Sequence, residues 1–141
     1  MKSKVLTFFL AMIMSICAYS QSPVEKLSMQ PDGIVRLSII EVEPQFLEEY
    51  IVFAAEVGEM SLRSEPGVLT MYAVQEKENP CHITILETYA SLEAYRHHIT
   101  SPHFQKYKQG TLHMVRNLQL LDQTPLNPAN KIINFIEEPN E

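Results

Sequence analysis

The sequence contains no tryptophan, only two cysteines and only four glycines among 141 residues. Two thiols, Cys17 and Cys81, cannot build a disulfide framework, and the scattered glycines form no phosphate-cradling loop. Cations are scarce as well. Eleven Lys and Arg stand against 17 Asp and Glu, a formal charge of -6, so the basic field that a phosphate backbone needs is missing and no nucleic-acid partner is expected. No apolar run reaches the ~20 residues of a membrane span. What remains is ordinary globular usage, 45% hydrophobic and 20% charged, which excludes a disordered chain and leaves room for one compact domain.

The first twenty residues begin with Lys2 and Lys4, continue through an apolar stretch from Val5 to Ile16, and end in Cys17-Ala18-Tyr19-Ser20. A basic start, about a dozen apolar residues and a small-residue exit read as a secretory signal peptide cleaved after Ser20. A lipid anchor at Cys17 is the alternative, disfavoured by the bulky Ile16 before it. Either way the expectation is a secreted or periplasmic protein. Cleavage removes two lysines and no acids, which leaves the mature domain at 9 cations against 17 anions. Its single thiol, Cys81, then cannot brace the fold, so the core must hold the domain together.

Residues 21–32, with Pro23, Pro31 and Asp32-Gly33, read as a lead-in and turn. The β-branched run Ile34 to Val42 predicts a strand. Pro44 opens a helix whose apolar residues Phe46, Leu47, Tyr50, Ile51, Ala54 and Val57 recur at helical spacing, and which ends near Ser64, before Glu65-Pro66-Gly67. Val68 to Gln75 and His82 to Thr88 predict a hairpin around Glu78-Asn79-Pro80. Ser91 caps a second helix carrying Leu92, Tyr95 and Ile99, interrupted by Ser101-Pro102, and Val115 to Leu121 supplies a fourth strand. The resulting β-α-β-β-α-β order predicts an α+β, ferredoxin-like domain over 33–122, one antiparallel sheet with its helices on one face, followed by a tail over 123–141 with the apolar knot Ile132, Ile133, Phe135 and Ile136.

Alternation along the strands predicts a dry face of Val35, Leu37, Ile39, Leu69, Met71, Ala73, Ile83, Ile85, Leu118 and Leu120 against the helices. The opposite face, including Arg36, Ser38, Tyr72, Val74 and Leu86, is mixed. It is either wet or covered by the sheet of a second copy, which would make a homodimer.

The densest cluster of chemistry-bearing residues runs from Glu87 to Phe104. His97 points away from the apolar stripe of its helix, whereas His98 lies at the stripe's border and can reach a crevice between helix and sheet. There a neutral imidazole can act as a general base. A partly buried histidine bonded to backbone is the plainer alternative. A metal bound by His98 and His103 would need Glu93 as a third ligand, and the five-residue spacing argues against it, so no metal is expected. Tyr50, Tyr72, Tyr89 and Tyr95 are candidate pocket walls or simply core. Glu87 follows Ile83 and Ile85 on the dry face and marks either a strand exit or the polar end of a pocket.

Glu65-Pro66-Gly67-Val68-Leu69, Ile85-Leu86-Glu87-Thr88-Tyr89, Leu92-Glu93-Ala94-Tyr95-Arg96-His97-His98 and Ser101-Pro102-His103-Phe104 together resemble the antibiotic biosynthesis monooxygenase (ABM) domain family, including its quinol monooxygenase-like members. The resemblance implies a dimeric α+β barrel in which each subunit keeps a pocket between helices and sheet. It also implies, for some members, oxidation of phenols or hydroquinones by O2 without metal, flavin or haem. His98 falls on the family's histidine, and Tyr89 falls where many members place tryptophan. Haem-degrading relatives use that tryptophan; its absence, with Lys108 at the haem-ligating place, disfavours haem chemistry.

Three functions therefore compete: a secreted cofactor-independent monooxygenase acting on a small aromatic substrate, a non-catalytic barrel that binds an aromatic ligand, and an assembly module that binds a protein partner. The first casts His98 and Tyr89 as catalytic and Tyr50, Tyr72, Glu87 and His103 as substrate-binding. The first two require an open pocket beside His98 and Tyr89; the third requires those side chains to be packed solid.

Overall fold

A computed structural model describes residues 24–129 and residue 132. The proposed leader with Cys17, and all of the apolar knot except Ile132, lie outside the described residues. Strand β1 (Ile34–Val42) is followed by a 3-10 turn at Pro44–Phe46 and helix α1 (Leu47–Ser64). The hairpin β2 (Val68–Gln75) and β3 (His82–Tyr89) comes next, then helices α2 (Leu92–Thr100) and α3 (Pro102–Thr111) and strand β4 (Val115–Asp122). The strands form one antiparallel sheet in the order β2-β3-β1-β4, as the ferredoxin-like reading requires. Among the described residues no helix is long and apolar enough to cross a membrane.

The second helical segment is two helices, hinged at Ser101. That residue ends α2, where its hydroxyl donates to the His98 carbonyl at 2.7 Å, and caps α3, where its hydroxyl accepts from the Phe104 amide at 3.3 Å. Pro102 occupies the first helical position of α3, where its missing N–H costs nothing. The break turns the chain so that His98 and His103 approach one another, which a continuous helix would prevent.

The helix-facing parity of β1 is the reverse of the sequence expectation. Ser38, Ile40 and Val42 are buried at 3%, 2% and 0% exposure, and their register partners Ile85 and Ile83 on β3 share that face. Val35, Leu37 and Ile39 lie on the outer face with Leu86 and Thr84. Arg36 and Ser38 interrupt the helix-facing parity, so alternation points to Val35, Leu37 and Ile39 as the dry side; the hydrogen-bond register with Ile83 and Ile85 places Ser38, Ile40 and Val42 there instead. Met71, Ala73, Ile83, Ile85, Leu118 and Leu120 do share the helix side as expected. Leu118 and Leu120 are nonetheless about half exposed, because β4 is an edge strand at the margin of the helical layer.

The core divides in two. Ile40, Val42, Tyr50, Ile83, Ile85 and Met114 form one cluster; Leu62, Val68 and Tyr89 form the other. Gly67 permits α2 to lie close to the start of β2, since a Cβ there would stand 2.4 Å from the Ala94 Cβ. The lead-in straps the end of α1: Lys26 Nζ donates to the carbonyls of Leu62 and Glu65, and the Val24 and Leu27 amides donate to Arg63 and Pro66. These bonds satisfy carbonyls that a helix C-terminus otherwise leaves open.

Candidate active site

Between the two core clusters a cavity of about 490 Å³ runs under α2 and α3 and over the sheet, in the size range of small-molecule sites. Its walls are mostly apolar, from Ile40, Ala54, Val57, Met71, Ile85, Ile99, Phe104 and Leu118, and its polar lining includes His98, Glu87, Ser38, Arg36 and the tyrosines at 89, 95 and 107.

His98 is 1% exposed and lines this cavity. Its ring lies 5.3 Å from that of Tyr89 and 4.9 Å, edge on, from that of Phe104. Behind the ring stands Glu65, the first residue after α1. Its buried carboxylate accepts from His98 Nδ1 at 2.9 Å and from His103 Nε2 at 2.5 Å on one oxygen, and from His97 Nδ1 at 3.3 Å on the other. Burial alone would raise the Glu65 pKa, but the hydrogen bonds and charges of His98 and His103 outweigh it and hold the group at about 2. Glu65 escaped the sequence reading as a site residue because it is 33 positions from His98 and stands in what reads as a helix-ending turn.

Glu65, His98 and His103 each offer one potential metal-ligand atom, all within 4.8 Å of one another. Glu93, the third ligand considered from sequence, is exposed and is not part of this group. Ligand atoms sharing one tetrahedral zinc ion stand roughly 3.4 Å apart. The spacings of 2.9 and 2.5 Å from the shared carboxylate oxygen are those of hydrogen bonds instead.

The second polar centre is Glu87. Its carboxylate lines the cavity and accepts from Ser38 Oγ at 2.5 Å and from the Tyr89 hydroxyl at 2.7 Å. It is therefore the polar end of a pocket and not a strand exit to water. Burial, followed by the neighbouring Glu87 charge, pushes the Tyr89 phenol upward, so at neutral pH Tyr89 is a hydrogen-bond donor and cannot remove a proton. Arg36 lies 4.8 Å over the Tyr95 ring and is bound to Asp122 at 2.7 Å, which holds its charge at the cavity's edge.

The remaining sequence candidates divide. Tyr50 is fully buried in the core, 2.6 Å from the Tyr107 hydroxyl; Tyr107 lines the cavity and Tyr50 does not. Tyr72 is 59% exposed and pairs with Leu86 on the outer sheet face, away from the cavity. His103 contacts Glu65 behind the wall and does not line the cavity. Lys108 does line it. The sequence thus brought His98, Tyr89 and Glu87 to one place, missed Glu65, Tyr107 and Phe104 among the candidates, and misplaced Tyr50, Tyr72 and His103 as cavity-lining residues.

A family model described as "Antibiotic biosynthesis monooxygenase" matches residues 34–110, from the start of β1 to the end of α3. A solved structure from Bacteroides thetaiotaomicron VPI-5482, described as a candidate antibiotic biosynthesis monooxygenase, is 55% identical with a TM-score of 0.70, covering 72% of this chain and 96% of that one. A candidate monooxygenase from Lactobacillus acidophilus NCFM is 29% identical with a TM-score of 0.62, over 66% of this chain and 44% of its own. A further candidate antibiotic biosynthesis monooxygenase, from Nitrosomonas europaea, shares the fold at a TM-score of 0.64 and 18% identity, over 72% and 98% of the two chains. No curated protein matches the chain.

Proposed function

The chain belongs to the antibiotic biosynthesis monooxygenase family, and from that premise we propose that it oxidises a small phenol or hydroquinone with O2, using His98 as base and no bound cofactor. The observation that carries this reading is the buried His98 on the wall of a largely apolar cavity with its Nδ1 already engaged by Glu65. The nitrogen left for a guest is Nε2.

The physical logic is charge transfer made easier by deprotonation. A phenolate gives up an electron far more readily than a phenol. Moving the O–H proton to His98 Nε2 leaves an anion that can pass one electron to O2. The radical pair recombines at a ring carbon and takes the proton back from His98 as a hydroperoxide, whose O–O bond breaks as the C–H hydrogen leaves with the outer oxygen as water. One O2 oxygen thus stays on the ring as a quinone carbonyl, and the substrate supplies all the electrons. An apolar enclosure keeps water from competing with these steps. The Phe104, Tyr89 and Tyr107 rings suit a flat guest, and the Glu87 carboxylate, with lone pairs beyond those taken by Ser38 and Tyr89, can accept from a second hydroxyl.

The same proposal includes a homodimer closed over the outer face of the sheet. Leu37, Ile39, Val35 and Leu86 add apolar area to exposed Tyr72, Val74 and Leu121 on that face, and a patch of this kind is suited to a second sheet. It includes export as well, with residues 1–20 as the leader and a mature chain beginning at Gln21, which amino-terminal sequencing of the exported protein would read directly.

Oxygen uptake with a panel of hydroquinones tests the activity. General-base catalysis contributes about 10²- to 10⁴-fold, so His98→Ala is expected to lose at least a hundredfold in turnover. Unchanged turnover would remove His98 from the mechanism. Saturable binding of the same compounds without oxygen uptake by the wild type would make the protein a ligand-binding barrel instead.

A further inference from the structure

The proposed reaction needs a base at the cavity wall, and imidazole is a base at one nitrogen only. Which nitrogen that is depends on the group behind the ring. An ionised carboxylate can only accept hydrogen bonds, so any neutral imidazole nitrogen bonded to it carries the proton, and the other nitrogen of that ring is an acceptor. Glu65 bonds His98 at Nδ1 and does not itself line the cavity, whereas His98 does. The ring therefore stands between the carboxylate and the cavity.

We infer that Glu65 is a positioning residue that holds His98 as the Nδ1–H tautomer and leaves Nε2 as the unprotonated atom offered to the cavity guest. This inference rests on the proposed reaction only for its purpose; the tautomer itself follows from the hydrogen bonds. Glu65 also stabilises the imidazolium that forms when Nε2 takes a proton, since the new charge lies 2.9 Å from its oxygen. It is held from several sides. The His103 ring on the same oxygen and His97 on the other fix the carboxylate from α3 and α2, and Lys26 of the lead-in fixes its backbone carbonyl. Tyr89, from β3, faces the same region as an uncharged phenol. Two turns of chain are needed to assemble this: the Glu65-Pro66-Gly67 exit from α1 and the Ser101-Pro102 hinge between α2 and α3.

The direct test is a long-range proton–nitrogen NMR spectrum of the ¹⁵N-labelled wild-type protein above neutral pH, where the protonated and bare ring nitrogens have distinct shifts. The expected pattern for His98 is protonated Nδ1 and bare Nε2. The reverse pattern would overturn the inference, and it needs no variant to be seen. In Glu65→Gln, whose amide can donate as well as accept, a second His98 tautomer should appear, and hydroquinone turnover should fall at least tenfold in kcat with KM within threefold. A folded Glu65→Gln protein with a single unchanged tautomer and unchanged kcat would also overturn it. The two claims separate cleanly: the expected tautomer together with full activity in His98→Ala would retain the positioning role and remove the oxidation reading.

Discussion

Replacing Glu65 by glutamine should remove a specific portion of the protein's acid sensitivity. In the folded protein this carboxyl is held at about 2, against an ordinary value of 4.5, and its side chain is only 4% exposed, so solvent screening takes little from the interaction. At about 1.4 kcal/mol per tenfold in proton affinity, the difference corresponds to about 3 kcal/mol of folding stability. The sign follows from the direction. A carboxyl depressed on folding contributes fully above the unfolded value and loses its contribution as the pH falls from about 4.5 toward 2. Urea titrations followed by circular dichroism, on wild type and Glu65→Gln at steps from pH 6 to pH 2, measure this as a difference of unfolding free energies. Other salt-bridged acids, such as Glu43 with Arg116 and Asp122 with Arg36, are present in both proteins and largely cancel. The variant should be less stable by about 3 kcal/mol at pH 6, and the gap should close as the pH approaches 2. Parallel curves with a constant offset would refute the claim that the buried carboxylate is stabilised in its charged form by the histidines around it.

Further outcomes follow from other parts of the site. Gly67→Ala forces a methyl against Ala94 on the helix that carries His98; thermal denaturation should show a loss of about 1–3 kcal/mol. Tyr89→Phe removes a hydrogen bond to the Glu87 carboxylate at 2.7 Å and should cost about 1.5–3 kcal/mol, the range for bonds to charged groups; a loss within 0.3 kcal/mol in chemical denaturation would mean that the bond contributes nothing. Leu37→Glu, on the outer face beside Leu86, should shift light-scattering mass from dimer to monomer while leaving the circular dichroism spectrum unchanged.

The elements were legible because their punctuation is local. Ile34–Val42, Val68–Gln75 and the start of the second helix at Ser91 are set by β-branched runs, prolines and a cap, and the structure places them there. Orientation was harder. In β1 the outer parity of Val35, Leu37 and Ile39 is wholly apolar while the helix-facing one carries Arg36 and Ser38, so alternation points to the wrong side and only pairing with β3 decides. Those two polar residues face a cavity and not water, and Ser38 donates there to Glu87. His98 and Glu87 could be identified from their neighbours along the chain. Glu65 could not, since its role depends on the hinge at Ser101-Pro102 bringing His103 back toward His98, a contact no periodicity describes. The only sequence signal for it was its place in the stretch that resembles the family.

The central claim is that the hollow beneath α2 and α3 receives an aromatic guest with its hydroxyl directed at His98. A crystal structure with a bound phenol is the most direct measurement of it. The predicted result is a ring lying among Phe104, Tyr89 and Tyr107 with its oxygen about 2.6–3.2 Å from His98 Nε2. A guest seated on the outer sheet face, or one in the hollow with its oxygen turned away from the imidazole, would contradict it.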